Sequence, residues 1–282
     1  MSVATLWHEA KPPVRPAPPP HQRAAGRLGL TFACSGGVST LADLDQHSPC
    51  RALFPRPPAA APPLAVLVNT AGGLAGGDTI AVSVSVAADA SATVTSQAAE
   101  KIYRSLGPHA RVETRLDVGE RAFLEWLPQE TILFDGACLD RSVRANVAAG
   151  GRLLACEMLV FGRVARGETL RHGKLRDAWQ IESCGRLVWI DRLGLAGDIG
   201  GRLDGIGFGG ARALATAIYV GPDAAAMFPE ARRVADSEAG GATLVNGVLV
   251  ARFLHSEPSR VRNALAQLLA RLRPLGTLPW LQ

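Results

Sequence analysis

Isolated charged residues within apolar or glycine-rich stretches are the side chains of this sequence best suited to chemistry. Asp78 ends a double-glycine motif at 72–78, and Glu168 ends the stretch 162–168. A charge removed from water must be paired, hydrated or used, so these residues predict either strand-end ion pairs or the lining of a channel or partner surface. The other members of the set are Glu100, Arg104, Glu125, Glu130, Asp135, Arg163 and Arg166.

Neither glycine-rich segment fits a nucleotide-binding motif. Segment 72–78 carries Asp78 where a phosphate-binding loop requires lysine. Segment 205–210 matches the dinucleotide pattern as a string, but glycines precede it and a strand-like run follows it at 214–220. The required order is strand, turn, helix. A β-rich enzyme that uses the 205–210 loop therefore stays only as an alternative function.

Histidine and cysteine spacing gives no support to a tight transition-metal site. The six histidines are isolated, and no two of the five cysteines lie at CxxC spacing. A weak carboxylate site for a divalent ion stays open, because spatial clustering cannot be seen in sequence. We therefore expect no tightly bound cofactor.

Composition excludes several classes of protein. The chain has 282 residues, 48% of them hydrophobic, and a net charge of +5. The basic residues are dispersed among acidic ones without interleaved aromatics, which argues against nucleic-acid binding. No apolar run approaches the ~18 residues of a membrane span. Sparse cysteines and an N-terminus without an apolar leader region predict a cytoplasmic protein.

Most of the sequence has the period of β-strands. Residues 80–86 and 112–118 alternate apolar and polar side chains, and Asn246-Gly247 predicts a type I′ hairpin turn. Gly119, Gly151 and Gly185 each precede an apolar run and then an acidic residue, which predicts stacked, similar β units. Further strand-length apolar runs occupy 123–127, 131–134, 153–161, 187–193 and 214–220.

Only two segments have helical character. Asp223 is the expected cap of the first, which Pro229 would interrupt. Ser256 is the expected cap of the second, which carries Val261, Leu265, Leu268, Leu269 and Leu272 on one face and ends at Pro274. We predict a mainly β protein: a proline-rich disordered tail at 1–25 and a single domain of stacked β-sheets at 26–282, with about two helices.

Four long stretches, in order, resemble the urease accessory protein UreD family, called UreH in some organisms. With weaker matches on either side, the resemblance covers roughly residues 26–270. The stretches are 69–78, 95–105, 124–137 and 157–168.

This resemblance implies a non-enzymatic urease maturation factor with a β-rich domain. It implies binding to urease apoprotein and a UreF-type accessory protein, and through UreF to a UreG-type GTPase, in a dimer of heterotrimers. It also implies transient nickel in an internal, water-filled tunnel, with Asp78 and Glu168 at the matching acidic positions as tunnel carboxylates. A generic β-rich protein-binding module is the remaining alternative.

Overall fold

The computed structural model describes residues 23–57 and 61–273 as two β-sheets packed face to face, with two helices on the outer face of one sheet. The main hydrophobic core lies between the sheets. The mainly β fold predicted from the sequence is confirmed. Residues 1–22 of the predicted tail, and Pro274, lie outside the described residues.

The first sheet has seven strands, in the order β14-β13-β11-β8-β5-β1-β2. Its strands are β1 (Ala25–Ser35), β2 (Val38–His47), β5 (Thr79–Val86), β8 (Ala110–Val118), β11 (Cys138–Val147), β13 (His172–Ser183) and β14 (Arg186–Asp198). The five central strands, β13, β11, β8, β5 and β1, are parallel. At the two edges of the sheet, β14 pairs antiparallel with β13 and β2 pairs antiparallel with β1.

The second sheet has ten strands. Eight follow the order β16-β17-β15-β12-β9-β6-β4-β3, while β10 pairs with β12 and β7. They are β3 (Cys50–Leu53), β4 (Leu64–Asn69), β6 (Ser91–Ser96), β7 (Glu100–Ile102), β9 (Phe123–Leu127), β10 (Thr131–Leu133), β12 (Arg152–Phe161), β15 (Ala213–Val220), β16 (Gly240–Val245) and β17 (Val248–His255). Neighbouring strands from β4 to β12 are parallel.

The chain coils between the two sheets, and successive turns of this coil stack on each other. β5 leads to β6, β8 to β9 and β11 to β12. Gly119 and Gly151 lie at the corresponding corners, where the backbone of the neighbouring turn leaves no room for a side chain. A Cβ on Gly119 would lie 2.8 Å from the Ala88 nitrogen, and a Cβ on Gly151 would lie 2.8 Å from the Gly119 oxygen. The predicted stacking is confirmed for these two copies. Gly185 instead turns the antiparallel β13–β14 hairpin with φ +73°, so the third predicted copy is wrong.

The second sheet is interrupted beside β12. β9 pairs with the first half of β12 and β10 with its last residues, and segment 128–130 between them leaves the ladder. Segment 97–99 does the same between β6 and β7. Pro128 has no N–H to donate to a ladder, which favours the break at this point. The interruption leaves an opening in the face of the sheet.

Three helices occur in the described residues: α1 (Ile199–Asp204), α2 (Ala224–Ser237) and α3 (Pro258–Leu272), with a 3-10 turn at Val164–Arg166. α1 was not predicted; the Asp198 side chain caps it by accepting from the Gly201 N–H at 3.0 Å. α2 and α3 pack on the second sheet. None of these helices is both long enough and apolar enough to cross a membrane.

The predicted helices form, but the predicted interruption at Pro229 and the predicted cap of α3 are wrong. α2 continues through Pro229, because packing of its buried residues against the second sheet outweighs one lost hydrogen bond. Asp223 is at the N-cap position of α2, as predicted, but its side chain makes no capping bond and instead accepts from the Tyr219 hydroxyl at 2.7 Å. The N-cap position of α3 is Glu257 rather than Ser256. All five predicted apolar residues of α3 are buried, and the Asn246-Gly247 hairpin turn has the positive φ angles of a type I′ turn.

Candidate functional site

The four motif stretches converge because each contains the carboxyl end of a parallel strand. Those strands are adjacent in the second sheet, so the segments after them must meet at one edge. Ser105 N–H donates to the Gly136 carbonyl at 3.0 Å, and Gly136 N–H donates to the His172 carbonyl at 2.9 Å. We call this region the loop edge; it comprises residues 72–78, 103–109, 134–137 and 162–172.

Asp78 is buried at the loop edge and both of its carboxylate oxygens are occupied. Oδ1 accepts from the Ala24 N–H at 2.9 Å and Oδ2 from the Ala75 N–H at 2.8 Å. These bonds close the turn after the double glycine and tie it to the start of β1. The carboxylate therefore holds the backbone of the loop edge in place.

Asp135, Arg163 and Glu168 form one cluster at this edge. Arg163 Nε and Nη2 donate to Glu168 at 3.1 and 2.5 Å, and the Arg163 guanidinium lies 4.5 Å from the centre of the Phe134 ring. The hydrogen bond from Arg163 lowers the pKa of Glu168, while burial opposes it. The Asp135 N–H donates to Glu168 at 3.3 Å, so three predicted residues are in direct contact.

The two remaining arginines of the prediction flank this cluster. The backbones of Arg104 and Ala137 form an isolated antiparallel β-bridge. The Arg104 side chain packs against Gly136, so closely that a Cβ on Gly136 would lie 2.8 Å from the Arg104 Cγ. Arg166 lies in the 3-10 turn and is exposed. The loop edge thus presents a mixed-charge surface.

A cavity of about 320 Å³ lies between the two sheets, and the interrupted part of the second sheet forms its mouth. Mouth residues come from the motif stretches: Asn69, Gly72, Ser96, Gln97, Ala98, Ala99, Glu100, Lys101, Pro128 and Gln129. The space is large enough for several water molecules. The resemblance thus falls on the residues that open this cavity.

Glu100 is the carboxylate at the mouth. Both of its oxygens accept from Asn69 Nδ2, at 3.1 Å each. Burial raises the pKa of Glu100, against the opposing effect of these hydrogen bonds. Cys50 also lines the cavity, and burial followed by the charge of Glu100 raises the pKa of its thiol to about 11. The thiol therefore stays protonated at neutral pH.

The inner wall of the cavity carries a buried charge cluster that the sequence prediction missed. Arg141 bonds Asp177 through Nε at 3.0 Å and Nη2 at 2.8 Å, and Nη2 also lies 2.9 Å from Glu157 Oε2. Trp179 Nε1 donates to the same oxygen of Glu157 at 2.8 Å, and Arg141 Nη1 donates to Thr131 at 3.2 Å. We call Arg141, Glu157 and Asp177 the inner cluster.

Strand periodicity contained a signal for the inner cluster. Each member occupies an inward position of its strand, between two buried apolar residues. Arg141 lies between Leu139 and Val143, Glu157 between Ala155 and Leu159, and Asp177 between Leu175 and Trp179. A charged residue at an inward position requires a partner inside the fold. Arg141 and Asp177 are direct register partners on β11 and β13.

Glu125 and Glu130 face the C-terminal helix. Glu125 accepts from Arg273 Nε at 2.7 Å and Nη2 at 2.9 Å, and from the Thr93 hydroxyl at 2.6 Å. Glu130 is ion-paired with Arg262 of α3. These two residues therefore fasten the helix to the second sheet, away from the cluster of Asp135 and Glu168.

The 205–210 segment lies between α1 and β15. Its context is helix, loop, strand, which is the reverse of the dinucleotide-binding arrangement. In the described parts of the chain no three His, Cys, Asp or Glu side chains are arranged to hold a metal ion. The arrangement as a whole is an inter-sheet cavity whose lining carries one carboxylate at the mouth, Glu100, and one at the inner wall, Glu157, which suits weak contact with a passing cation.

Comparison with known sequences agrees with the motif stretches. The sequence model of the UreD urease accessory protein family matches residues 24–279. The chain belongs to the UreD family.

Relatives in this family align over nearly their whole length. A urease accessory protein UreD of Methylobacterium sp. (strain 4-46) is 42% identical over 269 residues, covering 92% of this chain and 95% of the relative. Urease accessory protein UreD 1 of Methylobacterium radiotolerans is 43% identical, with 93% and 96% covered. The UreD protein of Magnetococcus marinus is 39% identical, with 96% and 94% covered. The described fold is therefore that of a UreD family member.

Proposed function

We propose that this protein is a scaffold and nickel-delivery factor in urease maturation. It binds urease apoprotein and a UreF-type accessory protein, and through UreF it recruits a UreG-type GTPase, in a dimer of heterotrimers. It works in the cytoplasm without a tightly bound cofactor of its own. GTP hydrolysis belongs to the partner, in keeping with the acidic residue at Asp78 where a phosphate-binding loop needs lysine.

The observation that carries the proposal is the cavity that opens through the interrupted sheet of a UreD family member. Glu100 stands at its mouth and Glu157 at its inner wall, and both line the cavity. A divalent ion that meets one carboxylate and several waters at each stage is held loosely enough to move on. A cage of thiolates and imidazoles would retain it.

The loop edge supports the partner-binding part of the proposal. Arg163 and Arg166 are exposed there, and Asp135 and Glu168 are half-buried beside them. Charged residues of both signs at the rim of an interface determine how a partner is oriented and which partner is selected, and they contribute less to binding affinity. The loop edge lies directly beside the cavity mouth, so a partner bound there is placed to pass or receive an ion.

Co-purification tests the scaffold role. The full chain, carrying an affinity tag, is co-expressed with urease subunits and UreF- and UreG-type proteins, and complexes are isolated with and without nickel and GTP. We expect a stable complex with the UreF-type protein and urease apoprotein. Absence of association in every condition would refute the scaffold role.

Nickel content of urease tests the delivery role. We expect Glu100→Gln, Asp78→Ala and Glu168→Ala each to lower nickel per urease active site severalfold, and Glu100→Gln, which lies outside the loop edge, to leave assembly intact. The Glu100 change removes a cavity charge, whereas the other two act at the loop edge. The matched control is Glu113→Gln, which neutralises an exposed carboxylate on the outer face of β8. Nickel loading that is equal in all four variants and the wild type would contradict the proposal.

A further inference from the structure

The inner cluster contains two carboxylates and a single cation. The exposed fractions of the Arg141, Glu157 and Asp177 side chains are 7%, 8% and 11%. Arg141 and Asp177 come from the first sheet, Glu157 from the second, so the cluster joins the two walls of the cavity. Arg141 and Glu157 line the cavity directly, together with Thr131.

The Arg141 guanidinium takes up most of the oxygen ligands that the cluster could offer to a metal ion. Both Asp177 oxygens accept from Arg141, and Glu157 Oε2 is ion-paired with Arg141 Nη2 at 2.9 Å. Glu157 Oε2 also accepts from Trp179. The second oxygen, Glu157 Oε1, has no hydrogen-bond partner among the described residues, although the residue is 93% buried. One carboxylate oxygen is thus left to the cavity.

We propose that Arg141 is the built-in counter-cation of the cavity, which keeps its inner end a place of transit for a divalent cation rather than a storage site. This inference rests on the proposed function, in which the cation is cargo. Two carboxylates without Arg141 would chelate a divalent ion with several oxygens and two negative charges. With Arg141 in place, the ion meets a single free oxygen and a largely neutralised wall, so binding is weak and release is fast.

The surroundings of Glu157 add a second restraint on binding. Arg141 and Asp177 face it from β11 and β13, Trp179 from β13, and Thr131 lies beside Arg141 from β10. A cation entering the inner end therefore competes with the Trp179 N–H as well as with the Arg141 guanidinium for Glu157 Oε2.

Nickel binding to the purified full chain tests the inference without any partner. Ni²⁺ affinity is measured by calorimetry and its release by stopped-flow transfer to a chelator. We expect Arg141→Met to bind Ni²⁺ at least tenfold more tightly than the wild type and to release it correspondingly more slowly. Adding Glu157→Gln to Arg141→Met should remove the gain, and Arg141→Lys, which keeps a charge, should show a smaller gain.

Arg176→Met is the matched control. Arg176 lies on the outer face of β13, where its side chain is 73% exposed and its Nη1 is 3.9 Å from Asp140, so its removal should leave Ni²⁺ affinity unchanged. If Arg141→Met does not fold, as judged by circular dichroism, Arg141→Gln retains a side-chain donor and carries the same expectation. A folded Arg141→Met or Arg141→Gln chain with wild-type Ni²⁺ affinity and release would overturn the inference.

The result is separable from a failure of the proposed function. If the assembled wild-type complex delivers no nickel to urease but Arg141→Met still tightens Ni²⁺ binding, delivery fails and the role of Arg141 in excluding tight binding stands. If delivery occurs and Arg141→Met assembles, transfers nickel normally and binds Ni²⁺ as the wild type does, delivery stands and the inference about Arg141 is wrong.

Discussion

Trp179 donates its indole N–H to Glu157 across 2.8 Å, and this bond joins β13 of the first sheet to β12 of the second through the cavity wall. The Trp179 ring also makes an edge contact with Trp189, with centroids 6.3 Å apart. The packing of the two sheets is therefore coupled to the charge state of one buried carboxylate.

Trp179→Phe should destabilise the fold by about 1–3 kcal/mol, the range for loss of a partner from a buried polar group. Phenylalanine preserves much of the ring packing while removing the donor to Glu157. Urea unfolding followed by far-UV circular dichroism measures the change. Trp189→Phe serves as the control, since Trp189 contributes a ring contact at the same place. An equal effect of both substitutions would show that packing, rather than the bond to Glu157, stabilises this wall.

Glu125→Gln should cost about 3 kcal/mol of unfolding free energy, because it removes the carboxylate charge that is ion-paired with the buried Arg273 guanidinium. The Glu125 and Arg273 side chains are only 2% and 6% exposed. The end of α3 should loosen first, so hydrogen exchange of its last turn reports the change. Glu257→Gln removes a carboxylate from an exposed pair with Arg260 and should leave stability unchanged. Protection of α3 unaltered by Glu125→Gln would rule out this anchoring role.

The Arg163–Glu168 pair should make a small contribution to stability that disappears in acid. Its hydrogen bond lowers the pKa of Glu168, so the folded state favours the ionised form relative to the unfolded chain. The contribution is present above the ordinary glutamate pKa and is lost as the pH falls through the lower, folded-state value. Since Glu168 is 24% exposed, solvent screening keeps it below about 1 kcal/mol.

The measurement is the difference in unfolding free energy between the wild type and Glu168→Gln from about pH 7 to about pH 3. We expect the two curves to converge on acidification. Glu113→Gln, on the exposed face of β8, should run parallel to the wild type. Curves that diverge on acidification would mean that the sign assigned to Glu168 is wrong.

Gly119→Ala should destabilise the stacked corners by about 1–3 kcal/mol, the usual cost of overpacking. The new Cβ would lie within 2.9 Å of backbone atoms of Val86 and Ala87, and backbone cannot move aside as a side chain can. Thermal unfolding measures the loss. Gly241→Ala in β16 is the control, because a Cβ there meets nothing within 4 Å. A Gly119→Ala chain as stable as the control would show that the coil can open at this corner.

The strands and the buried face of α3 could be predicted because they depend on local periodicity. The segment 112–118 alternates in the sequence and forms β8, and Leu265 and Leu268 are buried as their helical spacing requires. The caps were less predictable, because Asp223 has a competing partner in the Tyr219 hydroxyl. Local sequence does not show which of two partners a side chain will choose.

The candidate site could be predicted only in part, because its assembly depends on which strands become neighbours. Asp135, Arg163 and Glu168 are brought together by the parallel order of β10 and β12, which no spacing in the sequence reveals. The inner cluster required the register of Arg141 against Asp177 as well as their inward orientation. Charges at inward positions could be recognised from sequence, but their partners could not.

The interruption at 97–99 and 128–130 has a mechanical consequence. β12 runs unbroken past the interruption and pairs with β9 on one side of the gap and with β10 on the other. It therefore holds the two parts of the sheet at a fixed separation across the opening. The width of the aperture is then set by the contour length of two three-residue spacers. Shortening either spacer by one residue would force a one-residue slip of the strand that follows it and turn that strand's side chains to the opposite face of the sheet, so the fold holds this aperture at a fixed width.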